Sequence, residues 1–186
     1  MKKIVKILLT LLIGIIVVLT AVYAYYGGFK LITFEVKEAG GEVLVYEIVS
    51  GDYSQSPIYM DSVYSVLLNK FNIETTKGAG VYYDNPQQIE KSKLRSEIGC
   101  LLDAPIDSTQ MAEISRKFKV KTLPKTNYII GEFPHKGMMS VLVGIMKVYP
   151  ALTKYIEKNG YKDAGPVIEI YDVPQKKIIY RKEAVK

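Results

Sequence analysis

Tryptophan is absent from this 186-residue chain, and cysteine and histidine occur once each, as Cys100 and His135. These gaps remove whole classes of chemistry. A zinc site draws three or four ligands from Cys, His and carboxylates at close spacing, and the sequence holds no such cluster, so no metal is expected. A Ser-His-acid triad would rest on His135 alone, and no nucleophile elbow surrounds it. A lone cysteine forms no internal disulfide, so packing alone must hold the fold. Cys100 lies in the apolar run Ile98 to Leu102 and reads as a small buried hydrophobe rather than a nucleophile served by His135.

Charge of one sign is also scarce in the body of the chain. The net charge is +6, but three of the 25 basic residues, Lys2, Lys3 and Lys6, precede a long apolar run, leaving 22 against 19 acidic. That balance, with no arginine stripe or recognition-helix motif, excludes nucleic acid as a partner. A hydrophobic fraction of 48% with 24% charged residues suits one globular domain and excludes a disordered or low-complexity polymer. Tyrosine is plentiful instead, at 15 against 5 phenylalanines.

Residues 7–26 carry no charge and, at about 1.5 Å per residue, match the roughly 30 Å hydrocarbon core of a bilayer. Tyr23, Tyr25 and Tyr26 close the run as an interfacial belt would. Residues 1–27 therefore read as a single-pass anchor contacting lipid, with a cleaved signal peptide as the alternative. The leading lysines place the N-terminus in the cytoplasm and the remaining chain on the far side, although Lys30 and Lys37 follow closely.

Residues 28–186 read as an α+β domain built twice from a strand-helix-strand-strand module, in halves of about 42–102 and 126–182. Leu31 to Lys37 and Glu42 to Val49 read as a hairpin turning at Ala39-Gly40-Gly41. Ser56-Pro57 opens a helix with apolar positions at Met60, Val63, Tyr64, Leu67, Leu68 and Phe71. Gly78 to Asp84 and Leu94 to Leu102 follow as strands. The second half repeats the order. Asn127 to Phe133 is a strand, Met138 to Ile156 a helix that Pro150 should kink or split, and Pro166 to Val173 and Lys176 to Lys182 are strands. Tyr83-Asp84-Asn85-Pro86-Gln87 and Tyr171-Asp172-Val173-Pro174-Gln175 look like matching copies. Between the halves, Asp107 or Ser108 caps a short helix, and Phe118 to Lys121 alternates as an edge strand.

A cleft is expected where the halves meet. Glu169 is a carboxylate in an otherwise apolar strand, sharing a face with Tyr171, while Ile168 and Ile170 suit packing against the helices. A buried carboxylate is costly unless paired, so Glu169 marks a site for a cation or proton donor. Tyr53, Tyr82, Tyr83, Tyr128 and Phe133 are candidate walls around it.

Gly51-Asp52-Tyr53 before the first helix, and Gly165 to Tyr171, resemble the gyrase-inhibitor-like (GyrI-like) small-molecule-binding family, which includes effector-binding domains of multidrug-responsive regulators. Val81 to Pro86, Phe133-Pro134, Pro150-Ala151-Leu152, Tyr155-Ile156 and Glu169-Ile170-Tyr171 resemble its membrane-anchored, testis-expressed ER-phagy receptor branch. The resemblance runs from the anchor to about Arg181. No cofactor is expected; the resemblance implies a duplicated α+β domain with a ligand cleft, and Glu169 as the group that meets a cationic ligand. Some members are hydrolases of electrophilic small molecules that use a glutamate base. No helix-turn-helix precedes the domain and no acidic tail follows it, so neither transcriptional regulation nor autophagy-receptor function is expected. The leading expectation is a membrane-tethered binding module for a cationic or amphipathic small molecule. A Glu169-dependent hydrolase, or an adaptor for a protein partner at the membrane with its domain in the cytosol as in that branch, stand as alternatives.

Overall fold

The computed structural model describes residues 2–86 and 88–186; Met1, and Gln87 at the end of the first pentapeptide, lie outside the described residues. Helix α1 spans Lys2–Tyr25. Strands β1 (Phe34–Ala39) and β2 (Val43–Ser50) lead to α2 (Ser56–Phe71), β3 (Lys77–Tyr82) and β4 (Arg95–Leu101). Helix α3 (Ser108–Lys117) leads to β5 (Lys119–Thr122) and β6 (Thr126–Pro134), then α4 (Met138–Lys158), β7 (Val167–Asp172) and β8 (Lys177–Glu183).

The eight strands form one antiparallel sheet in the order β1-β6-β8-β7-β3-β4-β2-β5. Exchanging β1–β4 for β5–β8 merely reverses that order, so the duplication is written into the topology. Each strand-helix-strand-strand module is preceded by one further strand, and that strand pairs with the other module. This corrects the expected hairpin: β1 lies on β6 and β2 on β5, so β1 and β2 are not neighbours. The cause lies in the connections. Gly40 (φ +102°) and Gly41 (φ +91°) carry the chain across the loop after β5, where Gly41 N–H donates to Leu123 O at 2.8 Å and Leu123 N–H to Glu42 O at 2.9 Å. A Cβ at Gly40 would run into the Pro124 carbonyl, which only glycine avoids.

Helices α2 and α4 cover one face, each over its own module. Val45 and Cys100 pack beneath Leu67 of α2, and Ile129, Phe133 and Ile178 beneath α4. The opposite face is apolar too. Leu44, Val81, Tyr128, Ile168 and Ile170 share one core there, joined by Ala39 at the end of β1 and by Leu123 from the loop after β5. The expected orientation of β7 is therefore reversed. Ile168 and Ile170 face away from the helices, and Val167, Glu169 and Tyr171 face them. Both sides of the strand are buried, so alternation alone did not identify the helical one.

Local signals account for the helix ends. Asp52 caps a short turn, Tyr53–Gln55, that runs into α2: its carboxylate accepts Ser54 N–H at 3.0 Å, and Ser56 is already the first residue of the helix. Pro57 sits in the first turn of α2, where a missing N–H costs nothing. Asp107 accepts Gln110 N–H at 2.9 Å to start α3. Helix α4 runs through Pro150 unbroken, correcting the expected split, and ends at Asn159 before Gly160 (φ +69°).

Close contact between α4 and the sheet depends on Gly144, where a Cβ would stand 2.7 Å from Tyr180 Oη and 3.1 Å from Phe133 Cδ1. Gly144→Val should overpack this contact by about 1–3 kcal/mol. The melting temperature measured by circular dichroism should fall by roughly 3–10 °C. An unchanged melting temperature would show slack between helix and sheet.

Candidate functional site

The pseudo-twofold axis passes between β3 and β7, where Gly80 is paired directly with Glu169. Tyr180 of β8 is the partner of Glu169 on the other side. Glu169 is only 2% exposed, so its charge is taken out of water almost completely. Two hydroxyls meet it: Tyr149 Oη donates to Oε1 at 2.7 Å and Tyr171 Oη to Oε2 at 2.6 Å. Among the described residues no cation pairs with it. Burial pushes its pKa up from the ordinary glutamate value, and the Tyr171 and Tyr149 hydroxyls only partly oppose that rise. The same burial, with the carboxylate nearby, raises the pKa of both tyrosines, so they remain donors. The buried Tyr180 hydroxyl has no hydrogen-bond partner among the described residues.

Tyr82 completes the cluster. It lies two residues beyond Gly80, as Tyr171 lies two beyond Glu169, so these two tyrosines are the symmetry-related pair. Its hydroxyl lies over Gly80 and interacts with the side chains of Ser56 and Tyr171. The two pentapeptides are thus one residue out of structural step: Tyr171 corresponds to Tyr82, not Tyr83.

Of the residues singled out from sequence, Glu169, Tyr171 and Tyr82 come together. Tyr53 stands behind them. Its ring meets Tyr82 edge-on at 4.8 Å, and its hydroxyl donates to Arg95 O at 2.9 Å and accepts Asp84 N–H at 3.1 Å. It braces the loop after β3 rather than walling a cleft. Phe133 is on the helical face but fully buried beneath α4. Tyr83 and Tyr128 are not at the site. Tyr83 turns toward Glu97 and Tyr46, and Tyr128 is packed in the helix-free core with its hydroxyl on Pro124 O at 2.8 Å. Adjacent positions on a strand point to opposite faces, which separates Tyr83 from Tyr82.

A cleft of about 530 Å³ opens between α2 and the start of α4, within the size range of small-molecule sites. Its walls are mainly apolar, from Pro57, Met60, Met138, Val141 and Pro174, and the ring of Tyr171 forms part of the lining. Glu169 does not line it; Tyr171 lies between carboxylate and cleft. Met60 lies over the floor because Gly78 has no side chain to exclude it. Asp61 and Glu74 bring two carboxylates to the cleft, and His135, edge-on to Tyr171 at 5.7 Å, is its one basic side chain among the described residues. Burial lowers the His135 pKa, so it is neutral at pH 7. Cys100 also borders the cleft, with a thiol pushed up to about 11 by burial, which makes it a poor nucleophile.

Sequence reasoning missed Tyr149, Tyr180, Asp61 and Glu74. Tyr149 carried a signal, being a tyrosine at the helical spacing of the inward stripe of α4, where a buried hydroxyl needs a partner.

The chain is 30% identical over 104 residues to testis-expressed protein 264 of Homo sapiens, covering 53% of this chain and 33% of that protein. It is 30% identical over 100 residues to the Mus musculus homologue, covering 51% and 32%. The matched stretch spans about a third of the length of these curated relatives. Among solved structures, EcmrR in its complex with DNA superposes with a TM-score of 0.60 at 12% identity, covering 90% of this chain and 63% of that one. The isolated EcmrR C-terminal domain gives 0.57 at 12% identity, covering 82% and 97%. At that identity the likeness is one of fold. The sequence pattern of the GyrI-like small molecule binding domain matches residues 50–181, and the chain belongs to that family.

Proposed function

We propose that residues 28–186 bind a lipophilic cation in the cleft between α2 and α4, and that residues 1–27 tether this unit to a membrane. The observation that carries the reading is an apolar cleft whose nearby charges are carboxylates: Asp61 and Glu74 in its lining, and Glu169 buried behind Tyr171 without a counter-charge among the described residues. An organic cation stacked on the Tyr171 ring would meet the ring's negative face and the field of Glu169 beyond it. Both Glu169 oxygens are occupied by tyrosine hydroxyls, which favours a recognition role over that of a general base. α1 is long and apolar enough to cross a bilayer, and its N-terminal lysines favour a cytoplasmic N-terminus with the cleft on the far side.

Two ions of like size and opposite charge test this. Tetraphenylphosphonium should bind the detergent-solubilised full chain in calorimetry, and tetraphenylborate should bind at least about tenfold more weakly, a gap of about 1.4 kcal/mol. Equal affinities would sink the proposal. Asp61 and Glu74 are exposed, so each should contribute no more than about 1 kcal/mol. Asp61→Asn with Glu74→Gln should weaken the phosphonium a few-fold, and added salt should erase the difference.

A further inference from the structure

The first turns of α4 are apolar on both sides. Val143 and Val148 face the sheet, yet on the outer side Met139, Leu142, Ile145 and Met146 are 48%, 49%, 39% and 77% exposed. With Met138, they recur at helical spacing and form one stripe. No charged residue occurs from Met138 to Met146. A helix that is apolar all round is normally enclosed on every side, and a contiguous exposed patch of this kind marks an interaction surface.

The end of α1 lies beside this stripe. Tyr26 packs into the core beneath α4, and Gly27 is held against Phe133 and Pro134 at the end of β6. Two residues of chain reach at most about 7 Å, so the last turn of α1 cannot stand far from the β6–α4 junction. Lysines fasten the exit. Lys136 Nζ donates to Tyr25 O at 2.9 Å and lies 4.3 Å from the centre of that ring. Lys147 Nζ, from α4 itself, donates to Gly28 O and to Lys30 O. Phe29 and Leu31 in this link are 66% and 85% exposed.

We propose that the outer stripe of α4 docks on the surface of the bilayer that holds α1, with Met139, Leu142 and Met146 entering the boundary between headgroups and acyl chains. This rests on the reading of α1 as a membrane helix. The occupant follows from continuity: a bilayer enclosing α1 up to its tyrosine belt ends at the β6–α4 junction, where the stripe begins. Residues Met138 to Met146 cover about 12 Å of helix, so the whole stripe falls within reach of that surface. Lys30, Lys136 and Lys147 supply positive charge at headgroup level, as an interfacial helix requires. Met138 belongs to both the stripe and the cleft lining, so the cleft opens beside the lipid.

The absence of tryptophan makes a direct test available. Single-tryptophan full chains, Met146→Trp, Val17→Trp and Ile48→Trp, are reconstituted in phosphatidylcholine vesicles doped with phosphatidylserine, with and without brominated acyl chains. Val17 is in α1, and Ile48, 66% exposed, is on β2 near the opposite edge of the sheet. The expected result is several-fold quenching by bromine at positions 17 and 146 and none at 48. Quenching at 17 with position 146 behaving like 48 would overturn the docking and leave the anchor reading intact. No quenching at 17 would overturn the anchor reading and the docking with it. Equal quenching at all three positions would overturn the orientation. A concentration-dependent blue shift at 146 without bromine quenching would overturn it in favour of a second copy covering the stripe.

Discussion

Glu169→Gln is expected to remove most of the affinity for tetraphenylphosphonium, by roughly thirtyfold or more. A buried charge acting on a cation across one intervening ring, at about 8 Å and an effective dielectric near 20, contributes about 2 kcal/mol, and each 1.4 kcal/mol is tenfold. The exposed carboxylates Asp61 and Glu74 cannot match that, because water and salt screen them. Glutamine preserves volume, so the fold should survive, and calorimetry on both chains reads the difference.

The pH dependence gives an independent signature. The Glu169 pKa is raised above its unfolded value near 4.5. A cation favours the ionised form, so wild-type affinity should rise with pH through the raised pKa and then level off. The Gln variant should lack that component. His135 also loses charge as pH rises, and Asp61 and Glu74 remain in both chains, so the wild-type-minus-variant difference isolates Glu169. Stability should run the other way. A carboxyl whose folded pKa is raised contributes fully below the unfolded value, and that contribution is lost as pH rises through the folded one. Wild type should therefore lose melting temperature relative to Glu169→Gln on moving from acid to neutral pH. Parallel curves for the two chains would refute an ionisable, strained Glu169.

Removing both donors should be the most damaging change in the site. In the Tyr149→Phe, Tyr171→Phe double variant the carboxylate stays buried with no partner. Hydrogen bonds to a charged group are worth about 1.5–3 kcal/mol each, so the pair should cost roughly 3–6 kcal/mol. At about 2–4 °C per kcal/mol for a domain of this size, the melting temperature should fall by at least about 6 °C. Adding Glu169→Leu should recover much of the loss, because removing both sides of a buried polar contact is far cheaper than removing one. A triple variant no more stable than the double would show that the tyrosines act through packing alone.

Much of this was legible in the chain. Strand-helix-strand-strand order, the edge character of Lys119 to Lys121 and the cap at Asp107 are local signals, and each appears where its pattern put it. Glu169 was conspicuous because a charge interrupts an apolar strand. What failed was everything decided by which face a residue takes when both faces are buried. Ile168 and Ile170 are as apolar as the side chains opposite them, and the one-residue offset between the pentapeptides moved Tyr83 to the wrong side. The exchange of β1 and β5 between modules depends on contact between two distant loops, which no local window contains. Asp61 and Glu74 look like any solvated charges until α2 and α4 set a cleft beside them.

The Gly80–Glu169 pairing bears on how this protein came to be one chain. Two identical modules assembled as a symmetric dimer would place the same residue on both sides of the axis. Two glutamates there would stand about 5 Å apart across neighbouring strands, with their repulsion undiluted by water. Fusion into one polypeptide lifts the requirement that the two positions match. One side of the axis then carries a charge while the other keeps a bare backbone that leaves it room. The symmetry of the scaffold survives, and the buried carboxylate is the point at which it is broken.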